Sequence, residues 1–341
     1  MGYCTVVGYG ELMMRYTPYH HGNLIEQSDA LKISFAGAES NILANLSLFG
    51  HSTVFLSSLP NDPLGRSAKY YLNKHGIDTR YVKWKQGRLG NYFVEHGNSI
   101  RGTRVTYDRS NSSFSNSRVS EKDWNKVLKN TDFLVLTGIT PALSKLCRQN
   151  ITTGLEVARE LDVNVVFDLN YRRKLFTKKE AREAFEKILP YVNILVANIG
   201  SAYDVYEIEF EPIQDLESLK LATIGSANKL ADLGNFNSIA MTMRNQNNAI
   251  NNDLGGVIIE GCKSYLSDFV NIDVIDRLGG GDAFVSGMLH GLVNKWEKQK
   301  IVSFATAAFA LTQTIEGDVN YFTEKELLDI SKGKVFGHVK R

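Results

Sequence analysis

The sequence predicts a three-layer α/β fold, a doubly wound and mostly parallel sheet covered by helices on both faces, with a small β-sheet as a lid. Three observations carry this. From Asp132 onward, short apolar runs alternate with helical patterns, as in parallel strands buried on both faces. Two earlier stretches, Leu31 to Phe35 and Asn91 to Tyr107, alternate apolar and polar residues between turn signals, which is the pattern of antiparallel strands with one wet face. Late in the chain, Gly279, Gly280 and Gly281 lead through Asp282 into an apolar helical run, a chain turn of the kind that puts a ligand at a helix N-terminus.

Taken in order, Tyr3 to Val7 reads as a first strand and Val54 to Leu56 as another, and a helix over Arg66 to His75 ends near Gly76. Phe133 to Leu136 is strand-like, and Pro141 to Leu161 is helical in pattern. Val163 to Phe167 is again a strand, followed by a charged amphipathic helix over Thr177 to Leu189 and a strand at Ile194 to Val196. Ala283 to Val293 completes the pattern as a helix, with Asp282 as its expected N-cap. With no low-complexity linker or repeat, the reading is one domain over residues 1–341, with lid strands inserted at about 12–35 and 82–110.

The chain has 341 residues, 43% of them hydrophobic, enough for a sizeable core. Its 39 basic and 37 acidic residues leave a net charge of +2, which makes no electrostatic case for nucleic acid or a membrane surface. Cys4, Cys147 and Cys262 suggest neither a disulfide framework nor a zinc site and fit a reducing, cytoplasmic setting. No apolar run approaches the roughly 20 residues of a membrane span. There is no P-loop motif, and Gly8-Tyr9-Gly10-Glu11 lacks the third glycine of a dinucleotide site.

The chemistry concentrates in Asp276-Arg277-Leu278-Gly279-Gly280-Gly281-Asp282. Amides in a glycine turn, together with a helix N-terminus, form an anion cradle. An acid beside it can take a proton from an attacking hydroxyl while the cradle holds a transferring phosphoryl group. This stretch resembles the signature of the ribokinase-like (PfkB) carbohydrate kinases, Asp-Thr-x-Gly-Ala-Gly-Asp, with Arg277 in place of Thr and Gly280 in place of Ala. The resemblance implies the ribokinase-like fold, a lid over the sheet edge, ATP and Mg2+ as cosubstrate and metal, with a monovalent cation such as K+ as a further candidate, and Asp282 as catalytic base with Gly279, Gly280 and Gly281 as anion hole. It also makes the lid a candidate surface for a homodimer or higher homo-oligomer.

Further matches point within the family. Gly37 and Asn41 fit a Gly-Gly-x-x-x-Asn run that holds sugar hydroxyls, with Ala36 for the first glycine. Asp168-Leu169-Asn170-Tyr171-Arg172 resembles the 2-keto-3-deoxygluconate kinase branch, in which the matching arginine holds a substrate carboxylate. Tyr92, Tyr107 and Arg109 resemble lid contacts of the same branch. For the nucleotide, Asn198 keeps part of an Asn-x-x-Glu motif whose Glu is here Ser201, and Thr242 and Arg244 stand where a later strand meets phosphate. No metal ligand is assigned. The resemblance implies ATP-dependent phosphorylation of a sugar acid, foremost 2-keto-3-deoxygluconate to its 6-phosphate. A neutral ketose such as fructose, and a non-catalytic sugar-acid sensor on the same fold, stand as alternatives.

Overall fold

A computed structural model describes residues 2–334. Its strands are β1 (Thr5–Tyr9), β2 (Met13–Pro18), β3 (Leu31–Ala36), β4 (Ser52–Pro60), β5 (Val82–Lys85), β6 (Asn91–Glu95), β7 (Arg104–Asp108), β8 (Phe133–Thr137), β9 (Asn164–Asp168), β10 (Ile194–Asn198), β11 (Ser238–Gln246), β12 (Asn251–Glu260), β13 (Lys263–Leu266) and β14 (Val270–Asp273). The helices are α1 (Ala38–Leu48), α2 (Pro63–Lys74), α3 (Glu121–Leu128), α4 (Thr140–Leu143), α5 (Lys145–Glu160), α6 (Lys178–Phe185), α7 (Ile199–Tyr206), α8 (Leu216–Ala231), α9 (Gly280–Val293), α10 (Lys298–Thr312) and α11 (Glu324–Ser331).

The main sheet runs β13-β12-β11-β10-β9-β8-β1-β4-β5, with β14 also on β12. Pairing is parallel from β11 through β5 and antiparallel where β12, β13 and β14 join. Alternate residues of the central strands face opposite layers. Leu134, Phe167, Leu195 and Met241 pack with Trp124, Ile151 and Phe185 of α3, α5 and α6. Val135, Val166, Val196 and Ala240 pack with Leu43, Met288 and Ala305 of α1, α9 and α10. Burial on both faces is why these strands read as unbroken apolar runs.

Some elements differ from the sequence reading. The helix expected over 141–161 breaks at Ser144, whose backbone is extended and whose hydroxyl caps α5 by accepting from Cys147 N–H at 3.0 Å. The helix expected over 177–189 stops at Phe185, and a 3₁₀ turn containing Pro190, which has no N–H to continue a helix, follows it. The lid is the sheet β3-β2-β6-β7, antiparallel within its two outer pairs and parallel between β2 and β6. Of the 82–110 stretch, β5 pairs with β4 at the edge of the main sheet.

Candidate active site

Parallel strands bind ligands beyond their carboxyl ends, and there a cavity of about 510 Å³ opens between the main sheet, the lid and the start of α9. Asp168 ends β9, Asn198 ends β10, and Thr242 lies beside Asn198 in register. The cavity is lined by Asp282, Gly279, Gly281, Gly37, Asn41, Tyr92, Tyr107, Arg109, Arg172, Asn198, Thr242 and Arg244, so the residues singled out from sequence converge on one place. Gly280 is the exception: a Cβ there would meet Gln313 and Phe309 of the α10 side.

The turn into α9 begins at Gly279, whose φ of 74° lies in the left-handed region and whose Cα faces the Asp318 carbonyl, 2.0 Å from where a Cβ would stand. The first intrahelical bond runs from Ala283 N–H to Gly279 O at 2.9 Å, so the amides of Gly280, Gly281 and Asp282 precede it as helix-entry donors. Asp282 is therefore not the N-cap, which is Gly279 without a side-chain cap. Positive φ at Gly279 lets the helix start earlier and places Asp282 in its first turn. Asn41 Nδ2 donates to Asp282 Oδ2 at 2.7 Å, while Asn41 Oδ1 accepts from Gly37 N–H at 3.4 Å. Burial pushes the Asp282 carboxyl well above the usual carboxylate range, the neighbouring Asp168 and Asp318 add to this, and Asn41 and Arg172 oppose it.

After β9, Asp168 accepts from Asn170 N–H at 3.0 Å in a tight turn, with Asn170 at φ 31°. Tyr171 then donates to Phe176 O at 3.1 Å, and Arg173 forms a two-point pair with Asp204 at 2.8 Å. These anchors fix the loop. Arg172, between them, is exposed at the cavity and has no ion-pair partner within 4 Å among the described residues. Burial also raises Asp168, to about 6.

The lid contributes through alternate residues. Arg15, Tyr92 and Tyr107 form one cross-strand row, with the two tyrosine rings stacked 6.0 Å apart. Arg15, 2% exposed, pairs with both Asp276 and Asp318, which are 0% and 8% exposed at the side chain. Asp276 also accepts from Leu278 and Gly317 N–H at 3.2 and 3.1 Å. One lid guanidinium thus joins the glycine turn and the segment after α10. Arg109 is held by Glu11, with Nε and Nη2 at 2.8 and 2.5 Å from Glu11 Oε2. Asn198 caps α7, its Oδ1 accepting from Ser201 N–H at 2.9 Å, so Ser201 occupies the capping position where the Asn-x-x-Glu motif has its acid.

Sequence reasoning missed Arg15, Glu11 and the cavity residues Asp318 and Arg277 as site members. Glu11 follows the first strand, where ligand contacts are expected, and could have been found by that rule. Arg15 and Asp318 are 303 positions apart and meet only through the fold.

A model of the pfkB family carbohydrate kinases matches residues 5–323, and the chain belongs to this family. It is 32% identical over 329 residues to a 2-dehydro-3-deoxygalactonokinase from Haloferax volcanii, covering 96% of each chain. The crystal structure of a 2-dehydro-3-deoxygluconokinase from Thermotoga maritima superposes with a TM-score of 0.91 at 33% identity, over 97% of this chain and 100% of that one. An uncharacterised sugar kinase from Pyrococcus horikoshii, solved in complex with ATP, shares the fold at 18% identity, with a TM-score of 0.75 over 97% and 100% of the two chains. The protein is a carbohydrate kinase of the 2-dehydro-3-deoxygluconokinase-like kind.

Proposed function

We propose that this kinase transfers the γ-phosphoryl group of ATP to the O6 hydroxyl of 2-keto-3-deoxygluconate. The observation that carries the acid substrate is Arg172, an arginine without an ion pair, held by its anchored neighbours at the same cavity as Asp282. A planar guanidinium at such a place suits a carboxylate in two-point contact. Two similar relatives carry names that differ in the sugar, gluconate in one and galactonate in the other, so the C4 epimer is the nearest competing substrate.

In this reading Arg172 takes the carboxylate, Tyr92 and Tyr107 offer ring faces and hydroxyls to the sugar carbons, and Arg109 is fixed by Glu11 beside them. Gly37 and Asn41 lie next to the reacting hydroxyl, with Asn41 also orienting Asp282. Asp282 takes the hydroxyl proton, and the amides entering α9 stabilise charge on the phosphoryl group. Asn198, Thr242 and Arg244 face the nucleotide. The carboxyl groups of Asp168 and Asp282 line the cavity without an ion pair within 4 Å among the described residues, with Arg172 the cation that acts on both, and they would face a magnesium ion arriving on the phosphates. That ion supplies charge neutralisation.

Arg172→Ala tests the acid reading. KM for keto acids should rise about 10-fold or more, the worth of a charge-assisted hydrogen bond pair, with KM for a neutral ketose unchanged. An equal rise for both would remove the carboxylate assignment. We further propose that a second copy of the chain covers the lid face opposite Arg15, where Ile33 is 60% exposed beside the stacked Tyr16 and Phe93 rings.

A further inference from the structure

Besides Arg172, two cavity arginines form no ion pair within 4 Å among the described residues. Arg244, on β11, uses Nη2 on Gln313 Oε1 at 3.1 Å and lies 5.5 Å from the Phe309 ring centroid. Arg277, in the glycine turn, uses Nη2 on Ala249 O at 2.9 Å, and its buried Nε has no hydrogen-bond partner. Neither forms an ion pair among the described residues, and both line the cavity beside Gly279, Thr242 and Gln246. Of the other cavity charges, Arg109 pairs with Glu11 and Asp318 with Arg15, while Arg172, Asp168 and Asp282 lie toward the β9 loop and the α9 start without an ion pair among the described residues. Burial lowers both guanidinium pKa values, that of Arg244 to about 10, where Arg277 lowers it further, while at Arg277 the adjacent Asp276 opposes the shift. Two guanidinium groups lining one cavity without an ion pair, with donors to spare, suit a ligand carrying more than one negative charge.

We propose that Arg244 and Arg277 form a clamp for the terminal phosphates of the nucleotide, Arg277 being a binding residue at the position where the family signature has threonine. This rests on the kinase reading and adds to it. A monoanionic carboxylate would balance only one of the two arginines, and Arg172 already offers a place for it. A di- or triphosphate balances both. Gln313 and Phe309 hold one guanidinium and the Ala249 carbonyl the other, so the clamp is partly preorganised and little side-chain entropy is lost on binding. The clamp supplies positive charge in a protein whose Asn-x-x-Glu acid is replaced by Ser201.

The test is calorimetric binding of ADP, AMP and adenosine to the full chain, without sugar and without magnesium, for the wild type, Arg277→Ala, Arg277→Lys and Arg244→Ala. Arg277→Ala and Arg244→Ala should each weaken ADP binding about 10- to 100-fold, from the worth of hydrogen bonds to charged groups. Adenosine affinity should be unchanged, the loss for AMP smaller than for ADP, and Arg277→Lys should recover part of the ADP affinity. Melting temperatures should hold or rise, because each alanine removes a poorly compensated charge. Equal losses for ADP and adenosine, or no loss for ADP, would overturn the clamp while leaving the kinase reading intact. Absence of nucleotide binding by the wild type would overturn both.

Discussion

Burial of Asp282 costs stability once the carboxyl ionises and, in the function proposed for it, strengthens it as a base. Its burial disfavours the charged form, so the folded state holds its proton more tightly than the unfolded chain does. Folding stability from this group is therefore present at low pH and falls as pH rises through the raised pKa. Asp282→Asn keeps the acceptor for Asn41 and removes the buried charge. It should lower kcat by about 10²- to 10⁴-fold, the usual worth of a general base, while raising the melting temperature at pH 8. Near wild-type kcat would refute the base. Asp168 follows the same sign, with its carboxyl raised to about 6 from 3.8. Asp168→Asn should abolish a loss of stability that the wild type shows as pH rises from about 4 to about 6, measurable by denaturant unfolding across that window. An unchanged slope would show that Asp168 does not carry it. For kcat/KM, an acid limb lying above the ordinary carboxylate value of about 3.9 should disappear in Asp282→Asn.

At the scale of elements, strand β2 is tied to the glycine turn by one side chain. Arg15→Ala would leave Asp276 and Asp318 buried without their cation, at a cost of about 3–5 kcal/mol, seen as a lower unfolding midpoint. A loss below about 1 kcal/mol, the range of an exposed pair, would mean that the triad is solvated in solution. Gly279→Ala should lower both activity and melting temperature, since a side chain there meets the Asp318 carbonyl and the left-handed backbone. The parallel strands were legible in the sequence because burial on both faces writes itself as apolar runs. The Gly279–Asp282 turn and the Arg172 loop were legible because special backbone and unpaired charge demand particular residues. The bounds of strand β2, inside the lid stretch placed at about 12–35, were not, since Met13 to Pro18 is buried at most positions and shows no alternation. The start of α9 was misplaced because a glycine in the left-handed region entered the helix three residues before the acid that looked like a cap. Which acids pair with Arg15 and Arg109 could not be read, the pairings being set by tertiary approach across the lid.

For the molecule as a whole, the cavity is divided between two parts, with Asp282 and the glycine turn at the start of α9, which packs on the main sheet, and Tyr92, Tyr107 and Arg109 on or beside the lid. Phosphoryl transfer works by positioning and by excluding water, so catalysis should need the lid seated. If a second copy covers the outer lid face, Ile33→Glu should convert a dimer to a monomer in sedimentation velocity; an unchanged sedimentation coefficient would place any interface elsewhere. The substrate is the central claim for this kinase, and a coupled ADP-release assay with ATP and magnesium tests it most directly. The acceptors are 2-keto-3-deoxygluconate, 2-keto-3-deoxygalactonate, 2-ketogluconate, gluconate, fructose and ribose. Turnover favouring 2-keto-3-deoxygluconate, with fructose and ribose much poorer acceptors, is the predicted result. Turnover of fructose or ribose alone would contradict the carboxylate reading of Arg172.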